Sequence, residues 1–131
     1  MAIELYLDRR SSTSPYLQLV EQVKRALLLG TLQIGDQLPT LKDVVGKLAI
    51  NPNTVLKAYR QLEHEGLIES KPGVGTFITR SLAGQALTHH PELRLSLIDW
   101  LDGARRAGLD EESILALFDS ARRASLVGDS A

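Results

Sequence analysis

Apolar residues recur at helical spacing in five stretches of the chain and near strand spacing in two. Tyr16, Leu19, Val20, Val23 and Leu27 stand three or four apart, which predicts a helix over 15–29. Ser14 is placed to cap it, Pro15 fits the first turn where a missing N–H costs nothing, and Gly30 is placed to end it. Leu41, Val44, Val45 and Leu48 form the stripe of a second helix, capped by Thr40 with Asp43 at the third helical position. Gly46, inside that helix, is read as a site of close approach by another backbone. Asn51 as N-cap and Pro52 as first residue start a third helix so soon after the second that the pair reads as a helix-turn-helix. Gly66 supplies its stop.

Two short stretches of strand character, LIES (67–70) and TFITR (76–80), flank the glycine-rich KPGVG and predict a β-hairpin. Three helices followed by a two-stranded ribbon make a winged helix-turn-helix. IELYL (3–7) reads as a short extended arm leading into the polar RRSSTS, and TLQIGDQLP (31–39) as a connector. The polar passage SLAGQALTHH precedes a helix over 91–107; Gly108 breaks it, and Asp110 caps another over 111–126. The expected fold is mainly α with a small β-hairpin: a winged domain at 1–80, then a two-helix dimerisation or effector segment at 81–131.

Charge divides the chain in the same place. Residues 1–80 carry ten Lys and Arg against eight Asp and Glu, a net +2, whereas 81–131 carry five against eight, a net −3. Two different jobs are implied. A surplus of +2 is small, so any attraction to phosphate depends on where the charges sit. Cysteine is absent, which removes disulfides, thiolate metal sites and thiol nucleophiles. MAIELYLDRR resembles neither a signal nor a transit peptide, and no apolar run approaches the roughly 20 residues of a membrane span. A cytoplasmic location is expected.

The third helix carries the chemistry. On a wheel of about 100° per residue, Ala58, Tyr59 and Leu62 fall within about 60° of Val55 and form its buried stripe. The opposite face gathers Asn53, Lys57, Arg60, Gln61 and His64 and holds no acid; Glu63 and Glu65 turn to the flanks. The major groove admits an α-helix, and base edges there pair with Asn or Gln at adenine and Lys or Arg at guanine. Thr54 and Leu56 are placed for thymine methyls or phosphates. In the hairpin, Gly73 and Gly75 let a backbone lie close to a sugar-phosphate wall, Lys71 adds charge, and Thr76 follows them. Each feature also has a plainer explanation, a solvated helix face and ordinary turn chemistry, and their combination favours DNA.

With these residues in view, GDQLPTLKDVVGKLAINPNTVLKAYRQLEHEGLIESKPGVGTFI (35–78) resembles the GntR family of bacterial transcription regulators, in its short YtrA-like branch. The resemblance lies in LP before the second helix, NPNTV entering the third, EGLI leading into the wing and GxGTF within it. It implies a DNA-binding homodimer on a roughly palindromic operator, most often a repressor. Carried over residue by residue, it adds Thr40 and Lys42 to the DNA-binding set. Lys42 stands where the family usually has arginine, keeping charge without the planar fork. Pro52 replaces a residue that is basic in some longer members, and Lys71-Pro72 a more basic wing tip.

The tail is expected to hold two copies together. Leu93, Leu97, Trp100 and Ala104 make one stripe, with Leu101 beside it, while Leu95 and Ile98 emerge on another face. One face is assigned to the chain's own stripe of Ile114, Leu117, Phe118 and Ala121, the other to a second subunit, because a bare apolar patch is costly. The tail is too short for a separate ligand-binding domain, so a small-molecule effector would use a small pocket between the tail and the winged domain or at the dimer interface. Arg105-Arg106 and Arg122-Arg123 read as helix-end charges, and His89-His90 as linker residues rather than metal ligands. No cofactor, metal or catalytic set is expected. The competing class is a winged-helix module that binds protein instead of DNA.

Overall fold

The computed structural model describes residues 3–84 and 89–128. It divides into two compact units, Met1–Thr88 and His89–Ala131. Residues 85–88 of the expected polar passage lie outside the described residues.

In the first unit, α1 (Pro15–Leu29), α2 (Leu41–Leu48) and α3 (Pro52–His64) precede β1 (Ile68–Lys71) and β2 (Gly75–Ile78). The helix starts follow local chemistry. Thr40 Oγ1 accepts from the Asp43 amide at 3.1 Å, and Asn51 Oδ1 from the Asn53 amide at 2.8 Å. Ser14 occupies the N-cap of α1, but its side chain makes no capping bond there. Gly30 and Gly66 end α1 and α3 with φ of 79° and 77°, the left-handed conformation expected of such stops.

α3 sits at the centre. α1 and α2 pack against it, as does β1. Leu19, Val23 and Leu27 of α1 meet Val55, Ala58 and Leu62 of α3 in one core, closed by Leu32, Leu38, Leu67, Ile68 and Ile78. Burying such side chains stabilises by about 1.5–3 kcal/mol each. The stripe expected of α2 is narrower in fact: Val44 is buried, Val45 and Leu48 are half-buried, and Leu41 is exposed. α2 is two turns long, so its first residue overhangs the core edge. Gly46 faces open space, with nothing within 4 Å of a Cβ built on it, so no backbone approaches it closely.

The extended arm and the connector both have structural work. The arm at residues 3–8 buries Leu5, and Gln22 brackets Tyr6, accepting from its amide at 3.0 Å and donating to its carbonyl at 2.9 Å. Gln18, itself buried, holds both polar groups of the Asp8 backbone at 2.9 Å. Residues 35–38 join the wing beside β2: the Ile78 amide donates to Asp36 O at 2.8 Å, and the Gly35 and Leu38 amides donate to Ile78 O and Thr76 O at 2.9 Å. β1 and β2 pair antiparallel from Ile68↔Ile78 to Lys71↔Gly75.

The second unit holds α4 (Pro91–Arg106) and α5 (Glu111–Gly128). Gly108, at φ 98°, turns the chain between them. Asp110 caps α5, accepting from the Ser113 amide at 2.8 Å, and Ser113 holds its carboxyl below the ordinary carboxylate range. The stripes expected to pair within the chain are covered only in part. Among the described residues of this unit only Ile114 is buried, at 3% exposure, while Leu93 is 61% and Trp100 41% exposed. Leu97, Leu117 and Phe118 are exposed too. Half-burial is confined to Leu101, Ala104, Leu109 and Asp119. Two helices without a third layer cannot enclose several apolar stripes.

Candidate nucleic-acid interface

Burial divides α3 cleanly. Val55, Ala58 and Leu62 are wholly buried and Tyr59 nearly so, whereas Asn53, Lys57, Arg60, Gln61 and His64 are exposed. The exposed five, with Leu56, line one shallow open groove of about 470 Å³. Leu56 is half-buried, as is Thr54. Arg60 also borders a hollow of about 270 Å³ between α3 and the wing, with Ser70 and Thr76 opposite.

The groove's side chains are held from behind. The Lys57 ammonium lies over the Tyr16 ring, 3.9 Å from its centre, a cation–π contact that keeps the charge near α3. Gln61 Nε2 donates to Glu65 Oε2 at 3.0 Å, and Glu65 Oε1 pairs with Lys24 at 2.6 Å. Those bonds, that from Lys24 foremost, hold the Glu65 carboxyl below its usual range. The Glu65 carboxylate is therefore tied to α1. Arg60 makes no hydrogen bond or ion pair among the described residues and is open to a ligand.

The other proposed DNA contacts sit on neighbouring elements. Thr40 and Lys42 are exposed at the start of α2. Lys71 and Gly73 are exposed at the hairpin tip, with the Lys71 ammonium 5.3 Å from the Phe77 ring centre. Gly75 and Thr76, half-buried, open β2, where Gly75 takes φ 146° and its missing Cβ leaves room for the Gln37 side chain. The residues assigned to dimerisation all fall in the second unit: Leu93, Leu95, Leu97, Ile98, Trp100 and Phe118 are exposed, Leu101 is half-buried, and Ile114 is buried.

One local feature differs from the expectations. Arg122 and Arg123 lie inside α5 rather than at its end, both paired with Asp119 at 3.0 and 3.1 Å. Arg105, in the last turn of α4, bridges to Glu111 at 2.9 Å. His90 Nδ1 lies 2.9 Å from Glu92, and no group of three or more His, Cys, Asp or Glu is arranged for a metal among the described residues. Sequence reasoning also missed Arg9, whose guanidinium donates to the Leu48 carbonyl at 2.8 Å beside the α2–α3 turn.

The family profile described as bacterial regulatory proteins, gntR family, matches residues 15–78, from the first residue of α1 to the last of β2. The HTH-type transcriptional repressor YtrA of Bacillus subtilis is 36% identical over 115 residues, covering 84% of this chain and 85% of that relative. The chain belongs to the GntR family. Among solved structures, YtrA from Sulfolobus acidocaldarius, a GntR-family transcription factor, is 26% identical with a TM-score of 0.53, over 78% of this chain and 99% of that one. A transcriptional antiterminator from Listeria monocytogenes EGD-e is 27% identical with a TM-score of 0.58, over 93% and 92%. As a YtrA-like member of the GntR family, the chain is a transcriptional regulator, and its first unit is a winged helix-turn-helix DNA-binding domain. No helix among the described residues is long and apolar enough to cross a membrane.

Proposed function

We propose that this GntR regulator is a homodimeric repressor that places α3 of each subunit in the major groove of a roughly palindromic operator. The observation that carries this reading is the exposed face of α3. Asn53, Lys57, Arg60 and Gln61 lie together on it without an acid, while the opposite side is anchored in the core. Asn53 and Gln61 offer amides for adenine, and Lys57 and Arg60 cations for guanine or phosphate. Thr54 lies beside them. Thr40 and Lys42 approach the backbone from α2, and Lys71, Gly73, Gly75 and Thr76 bring the wing to an adjacent groove. Acting on chromosomal DNA, the protein works in the cytoplasm.

Dimerisation falls to the second unit, within the segment 81–131 that follows the winged domain. Leu95, 61% exposed, and Ile98 share that unit with Leu93, Leu97, Trp100 and Phe118, all bare in a single chain. Apolar surface of this extent marks an interaction site. Two subunits joined there present two copies of α3 to half-sites about one helical turn apart. Repression is the role of the Bacillus subtilis relative, a transcriptional repressor. This reading uses no cofactor and leaves any small-molecule effector to the dimer interface.

A gel shift against the promoter of the protein's own operon tests the proposal. A shift resisted by random competitor DNA is expected. Folded protein that gives no sequence-specific shift at moderate salt refutes it.

A further inference from the structure

The segment before α1 carries chemistry that the α3 reading does not use. RRSSTSPY (9–16) holds two arginines, four consecutive hydroxyl side chains and no acid, a local +2 in a chain of net −1. Two fixed points lay it along α3. At its start, Arg9 donates to the Leu48 carbonyl at 2.8 Å and the Ala49 carbonyl at 3.4 Å, just ahead of the turn into α3. At its end, Tyr16 lies beneath Lys57, in the middle of α3. Between these points, buried Gln18 donates to the Thr13 carbonyl at 2.9 Å and holds the loop in shape.

Arg10 lies on this pinned stretch. It is exposed, and its guanidinium makes no hydrogen bond or ion pair among the described residues. The nearest acid in sequence, Asp8, accepts from the Arg10 amide at 3.0 Å, so its charge is turned to the backbone. Ser11 and Ser12 are exposed beside it. A free planar guanidinium with hydroxyl neighbours suits a phosphodiester oxygen in charge and geometry.

We propose that residues 9–13 form a second contact surface for duplex DNA, continuous with the face of α3. Arg10 meets the sugar-phosphate backbone flanking the groove that α3 enters. Arg9 is a positioning residue that ties the segment to the α2–α3 turn. The inference rests on the reading of α3 above. It also supplies attraction that the small net charge of the winged domain lacks, and a backbone contact adds affinity without sequence preference.

The test is fluorescence anisotropy of the full chain with a duplex selected from random sequence by the wild-type protein, and with a scrambled duplex, across a salt series. Arg10→Gln, Arg9→Gln and Lys57→Gln are compared with wild type, and circular dichroism verifies each fold. Arg10→Gln and Arg9→Gln are expected to weaken both duplexes several-fold by a similar factor, lowering the salt slope by about one per bound subunit. Unchanged affinity and slope for Arg10→Gln, with Lys57→Gln weakened, would overturn this inference and leave the role of α3 standing. Unchanged binding in Arg10→Gln and Lys57→Gln alike would overturn both.

Discussion

The Tyr59 hydroxyl donates a 2.6 Å hydrogen bond to the Pro39 carbonyl, tying the buried side of α3 to the residue just before the N-cap of α2. Both residues are buried, so the bond sets how α3 sits relative to α2 while its neighbours Lys57 and Arg60 stay outside. Tyr59→Phe strands the Pro39 carbonyl and should cost about 1–3 kcal/mol in urea unfolding. Burial first, and the Asp43 charge second, push the Tyr59 phenol well above its ordinary value. The folded state therefore holds this proton more tightly than the unfolded chain. That contribution is complete below about pH 10 and is lost as pH rises beyond it. The stability gap between wild type and Tyr59→Phe should narrow through the alkaline range; a constant gap would contradict this assignment.

The caps of the helix-turn-helix should be measurable one at a time. Thr40→Ala and Asn51→Ala each remove the acceptor of a free amide in a helix's first turn, with an expected cost of about 0.5–2 kcal/mol in thermal unfolding. Asn51→Gly should cost only a few tenths, because glycine also suits a cap. Ser14→Ala should do little, since its side chain makes no capping bond.

Gly75→Ala should damage the wing. At φ 146° an L side chain is strained, and the added Cβ would run into the Gln37 side-chain amide. The Gln37 side chain can swing away, but the backbone strain remains. Destabilisation of about 1 kcal/mol or more is expected, with faster hydrogen exchange at the Leu38 and Ile78 amides that join residues 35–38 to β2. Unaltered exchange at those amides would show that the wing absorbs the change.

Leu95→Glu with Ile98→Glu should yield monomers in sedimentation velocity while leaving the winged domain folded. Carboxylates at these positions would lose solvation inside a subunit contact. An unchanged sedimentation coefficient would move the interface elsewhere.

The parts of this molecule legible in its sequence are those set by local rules. α3 is the clearest: Asn51-Pro52 mark its start, Val55, Ala58, Tyr59 and Leu62 its buried side, and the polar residues opposite fall where the wheel puts them. Leu41 was harder, because periodicity marks a stripe without saying how far the core extends beneath it. Residues 35–38 carry no strand pattern; their pairing is imposed by β2, some forty residues on. The Arg9 clamp was hidden for the same reason, since an arginine reaching carbonyls 39 and 40 residues away leaves no periodic trace. The tail shows the converse, apolar periodicity that its own chain leaves uncovered at Leu93, Leu97 and Phe118.

The central claim is that the exposed face of α3 reads operator DNA. Its most direct test is a competition titration of the full-length protein on its own promoter duplex against random duplex, with wild type beside Lys57→Glu/Arg60→Glu. Both residues are exposed, so the double variant should fold as wild type does. Wild type should prefer the promoter by about 10³-fold or more, and the variant should lose that preference together with most of its affinity. Equal affinity of folded wild type for both duplexes, or promoter binding unchanged by the two charge reversals, would contradict the claim.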